Sequence, residues 1–274
     1  AVVLNIDEDH LEFFKTPQRL KASFRQFAQG AKTILACGDD LRTCEALEGI
    51  SCVKFGLGPE NDLRAQQIEQ KQGRCCFDLY GGTKRLMHLA LQVAGKHQVY
   101  NALAAAAVAM REGVDPAVIE EALGSFRGAA RRFEVIAQAQ GITIADDYAH
   151  HPTEIEATLH AARQMGFERI IAVFQPFTFS RTALLMDDFA QVLSRADRVV
   201  LTPIMGSREI NTYGVSAQQL CERIPAAVLC NDFEQTALTA LALARPGDLI
   251  LTLGCGDIYK AARIMERQLK GQTA

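Results

Sequence analysis

Downstream of residue 142, short apolar runs recur at regular intervals. They span Ile142 to Ala145, Ile170 to Phe174, Val199 to Thr202, Ala227 to Leu229 and Leu249 to Leu253. Runs of this length without polar alternation fit strands covered on both faces. Between them, Leu185/Phe189/Val192, Ala237/Leu241/Ala244 and Ile258/Ala262/Met265/Leu269 fall three or four apart, which marks one face of a helix. Strand alternating with helix predicts an α/β domain with a doubly wound, mostly parallel sheet and helices on both faces. The first half of the chain reads differently. Val2 to Ile6 has the pattern of a strand, and Thr16-Pro17 opens a helix with Leu20, Phe24 and Phe27 on one face. Closely spaced runs then follow at Thr33 to Ala36, Cys52 to Phe55, Leu63 to Ile68, Cys75 to Leu79 and Arg85 to Leu91, separated by glycine-bearing turns. That spacing predicts a sheet that is partly antiparallel. An Ala-rich helix runs from Gly95-Lys96-His97 to about Glu112, and another from Asp115-Pro116 to near Gly124. The small, glycine-bearing stretch Ser125 to Ala130 places the boundary between two domains, 1–125 and 126–274.

Composition narrows the class of protein. The chain has 274 residues, of which 49% are hydrophobic and 22% charged, enough apolar material for a real core in each of two domains. A net charge of -3 gives no overall basic field for nucleic acid, so small molecules or proteins are the expected partners. The longest apolar run, Ala102 to Met110, is too short to span a bilayer, and no signal peptide is visible, so a cytoplasmic location without membrane insertion is expected. None of the eight cysteines forms Cys-x-x-Cys, which fits reduced, buried thiols better than zinc or disulfides. The chain starts at Ala1 on a strand pattern without lead-in, which reads as a fragment whose N-terminal part is missing.

The densest chemistry lies at residues 146–155, Asp-Asp-Tyr-Ala-His-His-Pro-Thr-Glu-Ile. An apolar run delivers two carboxylates, a phenol and two imidazoles to a helix start, where Pro152 suits the first position and Glu154 the first turn. Ligands of open α/β sheets bind at the carboxyl ends of strands, and an ordinary capped loop is equally compatible. Arg181, in Gln-Pro-Phe-Thr-Phe-Ser-Arg-Thr (175–182), sits where a helix start and a guanidinium would hold an anion. Ile204 to Gly214 has the length of a mobile substrate flap. His97 and Asn101 are four apart on one helix face, open to a ligand or to local backbone groups. Asp7-Glu8-Asp9-His10-Leu11-Glu12 offers oxygen and imidazole donors for Mg²⁺ or Mn²⁺, or simply complements a helix dipole. Gly254-Cys255-Gly256-Asp257 lacks the third glycine of a dinucleotide fingerprint and reads as a tight turn.

Taken in order, Asn-Ile-Asp-Glu-Asp-His-Leu-Glu (5–12), Gly-Lys-His-Gln-Val-Tyr-Asn-Ala-Leu-Ala-Ala (95–105), Arg-Arg-Phe (131–133), the 146–155 stretch and Phe-Gln-Pro (174–176) resemble the Mur ligases across essentially the whole chain. The double histidine with Phe-Gln-Pro-x-x-x-Ser-Arg-Thr looks most like the members that join L-alanine to UDP-N-acetylmuramate in peptidoglycan synthesis. The resemblance implies the last part of a central ATPase-type α/β domain followed by a Rossmann-like C-terminal domain. It implies ATP and Mg²⁺ as cofactors, His10 at the metal and the substrate phosphate, and His97 and Asn101 at the adenine. Arg132 and Asp147 would then reach the ATP phosphate and ribose, while Tyr148, His150 and Arg181 would approach the alanine and the muramoyl carboxylate. Within that reading Arg132, Asp147 and His150 carry the chemistry.

Three departures qualify the resemblance. Gln98 stands where the family usually has Asn, and Phe177-Thr178 where His-Arg or His-Thr is common, so Phe177 receives no catalytic role. No Gly-x-x-x-x-Gly-Lys-Ser/Thr occurs in the sequence, so the fragment by itself is expected to be inactive. Two alternatives stay open: a recycling ligase that adds a whole tripeptide to the same sugar, and a non-catalytic nucleotide- or anion-binding module.

Overall fold

The computed structural model describes residues 1–8 and 11–271, with the backbone alone at Leu11 and Glu12. Asp9 and His10, and with them the metal and phosphate roles expected of His10, lie outside the described residues. The chain divides into two compact units, Ala1–Arg127 and Gly128–Ala274.

In the first unit β1 (Val2–Val3), β2 (Leu35–Cys37), β3 (Val53–Gly56), β4 (Leu63–Lys71), β5 (Arg74–Gly81) and β6 (Lys84–Ala94) lie side by side in sequence order. The pairs β1–β2, β2–β3 and β3–β4 are parallel, while β4–β5 and β5–β6 are antiparallel, the mixed sheet expected from the spacing. The first strand is shorter than its apolar pattern predicts, because Ile6 N–H leaves the ladder and donates to Asp40 Oδ1 at 3.2 Å. Helices α1 (Leu11–Phe14), α2 (Pro17–Gln29) and α3 (Leu41–Ala46) precede α4 (His97–Arg111) and α5 (Pro116–Ser125). On one face Leu20, Ala28, Ala46 and Leu47 meet Val3, Ile34 and Ala36. On the other, Val99, Ala102, Leu103 and Ala106 of α4 pack on Leu35, Phe55, Phe77 and Leu89. Alanines on the buried side let the helix backbone approach the sheet closely, and each fully buried Phe or Leu contributes roughly 1.5–3 kcal/mol.

In the second unit β7 (Glu134–Ala139), β8 (Ile142–Asp147), β9 (Ile170–Phe174), β10 (Arg198–Leu201), β11 (Val228–Leu229) and β12 (Leu249–Leu253) form a sheet of order β11-β10-β9-β12-β8-β7. Every pair is parallel except β7–β8. The predicted runs Ile170–Phe174 and Leu249–Leu253 match β9 and β12, and every residue in both is buried. Helices α6 (Pro152–Gln164), α7 (Phe179–Leu184), α8 (Met186–Leu193) and α9 (Ala217–Cys221) precede α10 (Phe233–Leu243) and α11 (Tyr259–Gly271). Ile155, Leu159, Phe189 and Leu220 fill one face of the sheet, and Ala237, Ala240, Ala262 and Met265 the other. The eight cysteines are free thiols, three of them buried and five half-buried, so they are less enclosed than the sequence predicts. Among the described residues no helix is long and apolar enough to cross a membrane.

Candidate functional site

Strand order brings the chemistry of the second unit together. Because β12 pairs with both β8 and β9, Thr252 lies opposite Asp146, and Leu253 lies between Asp147 and Phe174. The loops leaving β8, β9 and β12 therefore share one carboxyl edge, where ligands of such sheets bind. β8 runs through both aspartates rather than ending at Ala145.

The two adjacent carboxylates take different partners. Asp146 is 1% exposed. Its Oδ1 accepts from Thr252 Oγ1 at 2.6 Å and its Oδ2 from Arg131 Nε at 2.8 Å. It is a structural acid, not a ligand-facing one. Asp147 accepts Phe133 N–H on one oxygen and Ala149 N–H on the other, each at 2.8 Å. Burial pushes its carboxyl up to about 6, against the pull of those two N–H groups and of the Arg132 charge. Two hydrogen bonds leave lone pairs on an ionised carboxylate for a further donor.

The segment before β7 is shaped by these acids. Arg131 and Phe133 have φ of 58° and 49°, a left-handed conformation that costs about 1–3 kcal/mol per side-chain-bearing residue. Arg132, between them, is exposed, and its guanidinium lies 5.3 Å from the Tyr148 ring centre. Tyr148 meets the His150 ring edge-on at 5.5 Å. His150 Nδ1 lies 3.1 Å from the Tyr148 carbonyl oxygen and 3.2 Å from Glu154 Oε2. His151 and Pro152 start α6: His151 caps it by accepting Thr153 N–H, and Glu154 reaches back to His151 N–H at 3.2 Å. The helix-start reading of His151 thus holds.

Arg181 sits in the first turn of α7, whose cap is Thr178. Its charge acts on Cys255 in the β12–α11 turn, as do those of Glu154 and Arg131. Burial dominates at that thiol and pushes it up to about 11, so it is not a nucleophile at neutral pH. Gly256 lies close to the Gln175 and Met205 side chains there: a Cβ would lie 2.6 Å from Gln175 Oε1 and would make those side chains shift. The predicted flap at Ile204–Gly214 has no helix or strand, and its Glu209 accepts Ser180 N–H at 2.9 Å.

In the first unit the start of α4 carries a short side-chain relay. Gln98 Nε2 lies 3.1 Å from His97 Nε2, and Asn101 Nδ2 donates to Gln98 Oε1 at 3.1 Å. Gln98 thus links the His97 and Asn101 side chains. A second hub in this unit centres on the exposed Asp39. Asp39 accepts Gly58 N–H at 3.1 Å, Asn61 Nδ2 at 2.7 Å and Tyr100 O–H at 3.2 Å, together with Leu57 N–H. Burial opposes its anion, but these donors win and hold its carboxyl below the usual range. The Gly-Asp-Asp turn was its one visible trace.

For a metal the described residues give little support. Asp7 and Glu8 are occupied by Arg42, at 3.0 and 2.9 Å. Among the described residues no group of three or more His, Cys, Asp or Glu side chains is arranged to hold an ion.

Two family profiles match the chain: the Mur ligase middle domain over residues 1–109, and the Mur ligase, glutamate ligase domain, over 131–256. The UDP-N-acetylmuramate--L-alanine ligase of Caldanaerobacter subterraneus is 40% identical over 95% of this chain and 59% of its own length. That of Clostridium novyi is 39% identical over 96% of this chain and 59% of its own. Among solved structures, a UDP-N-acetylmuramate-alanine ligase from Thermotoga maritima superposes with a TM-score of 0.78 at 25% identity, covering 99% of this chain and 59% of that one. A murein peptide ligase from Psychrobacter arcticus shares the fold, with a TM-score of 0.69 at 21% identity, covering 98% of this chain and 57% of that one. The chain thus spans about 60% of the length of the relatives it matches. It belongs to the Mur ligase family and carries that family's middle and glutamate ligase domains.

Proposed function

We propose that this chain is part of an ATP-dependent amide-forming ligase that joins L-alanine to UDP-N-acetylmuramate in the cytoplasm during peptidoglycan synthesis. The observation that carries this reading is the gathering of Arg132, Tyr148 and His150 after β8, with Arg181 in the helix after β9 on the same sheet edge, in a chain 40% identical to L-alanine ligases over 95% of its length.

In this reading the muramoyl carboxylate oxygen attacks the γ-phosphorus, ADP leaves, and an acyl phosphate forms. The alanine amine, having lost a proton, attacks the acyl carbon, and the carbon–oxygen bond to phosphate breaks. The exposed guanidinium of Arg132 offsets charge on the transferring phosphoryl group. Asp147 takes a ribose hydroxyl, and His97 and Asn101 bind the adenine. Arg181 holds the alanine carboxylate, and Tyr148 lines the same pocket. His150, oriented by Glu154 at 3.2 Å, takes the amine proton. Mg²⁺ held beside His10 would neutralise phosphate charge. Without a phosphate-binding Gly-x-x-x-x-Gly-Lys-Ser/Thr, these 274 residues alone do not turn over.

The test is phosphate release by the full-length protein with ATP, UDP-N-acetylmuramate and either L-alanine or the stem tripeptide. Dependence on L-alanine supports the proposal. Dependence on the tripeptide alone assigns the recycling ligase, and release with neither leaves a non-catalytic binding module.

A further inference from the structure

Beside the exposed Arg132, Arg131 is engaged through its backbone and through its guanidinium. Arg131 Nε donates to Asp146 at 2.8 Å, and Nη2 donates to the Gly254 carbonyl at 2.6 Å. Its guanidinium lies near two aromatic rings, 5.1 Å from the Tyr148 centre and 4.9 Å from that of Tyr259. Its N–H donates to Glu134 at 2.9 Å, and its carbonyl accepts Tyr148 N–H at 2.7 Å. One side chain thus ties the turn before β7 to the ends of β8 and β12 and to the first residue of α11. A planar fork reaches an acid and a carbonyl while lying close to two aromatic rings, and lysine does not reproduce it.

Tyr148 explains why this bolt concerns the site and not only stability. Its ring is 36% exposed and has a guanidinium near it from each of Arg131 and Arg132, at 5.1 and 5.3 Å. A half-exposed ring keeps one orientation only if something fixes it, and Arg131 binds both its ring and its backbone N–H. The left-handed φ of 58° at Arg131 points the next side chain, Arg132, to the same ring. Left-handed geometry at a residue with a side chain persists only where surrounding contacts over-determine it, and Asp146, Glu134 and Gly254 supply those contacts.

We propose that Arg131 is a positioning residue, which sets the Tyr148 ring and the Arg132 guanidinium in the orientation that receives the amino acid. This rests on the reading above that Tyr148 lines the pocket for the incoming alanine. The experiment uses full-length protein carrying Arg131→Lys, Tyr148→Ala, both together, or Tyr259→Leu, which removes one of the two rings without touching the fork. The expected result is that Arg131→Lys raises the KM for L-alanine about tenfold, since small misplacements of a positioning group cost up to about a hundredfold. In the Tyr148→Ala background the same change adds less than about twofold, because its effect runs through that ring. Tyr259→Leu gives a smaller rise in the same KM. A variant that is merely less stable would lose active enzyme and leave KM where it was. Amide exchange at Tyr148 and Phe133 is expected to quicken in Arg131→Lys. An unchanged KM in an active Arg131→Lys enzyme, an equal rise with and without Tyr148, or unchanged exchange at those two amides would overturn the proposal. If Arg131→Lys does not fold, an unchanged KM in Tyr259→Leu does the same. Absence of L-alanine-dependent turnover in the wild type counts against the function reading instead, and the exchange measurement still judges Arg131.

Discussion

Asp147 is ionised near neutral pH at a cost. Its carboxyl, ordinarily at 3.8, sits at about 6 in the folded chain. Between those values the folded state keeps a proton that the unfolded state has released, so stability falls as pH rises through that window. The loss is on the order of 3 kcal/mol at most. Asp147→Asn is expected to remove that slope, which denaturant midpoints measured from pH 4 to pH 7 would check; a slope equal to the wild type's contradicts the assignment. His150→Gln is expected to lower kcat by about 10²- to 10⁴-fold if the imidazole takes the amine proton. Steady-state kinetics at saturating L-alanine decides it, and a kcat within twofold of wild type removes His150 from that role. At this scale the sequence was most informative for side chains that end on the surface. Tyr148, His150 and Arg181 were visible as polar groups around a helix start. The inward turn of Arg131 and Asp146 was not, because an arginine beside an arginine and an aspartate beside an aspartate carry no mark of which one turns inward. That choice is made by Thr252 and Gly254, more than a hundred residues away in the chain.

Elements show the same division between local and distant causes. β9 and β12 were legible to the residue because strands buried on both faces must be apolar throughout. α6 was legible because Pro152 and Glu154 mark a start wherever the helix packs. The shortness of β1 was hidden, since Ile6 is apolar and fits a strand, yet its N–H turns to Asp40. The break between α7 and α8 was hidden too: Leu185 fits the apolar face of a single helix but has φ of -112° and ψ of 25° and ends the first one. Two stability predictions belong here. Ala106 on α4 is fully buried against the sheet, so Ala106→Leu is expected to cost about 1–3 kcal/mol by overpacking. His151→Ala removes the α6 cap and is expected to cost about 0.5–2 kcal/mol. Urea unfolding checks both, and a change below about 0.3 kcal/mol in either would contradict the packing or capping described.

For the molecule as a whole, each unit has a sheet covered on both faces and a separate cluster of polar side chains. In the second unit the cluster exists because the last strand returns between the first and second parallel ones, a topology that periodicity does not reveal. What the order of motifs conveyed was the family, and the family supplied the chemistry that the edge can be asked to perform. The most direct test labels the muramoyl carboxylate of UDP-N-acetylmuramate with ¹⁸O and follows the label through one turnover of the full-length protein with ATP and L-alanine. Attack of that carboxylate on the γ-phosphorus, followed by amine displacement of phosphate, leaves one labelled oxygen in the released phosphate and one in the amide. Phosphate released without label would contradict the acyl phosphate, and with it the account of what this edge of the sheet is built to do.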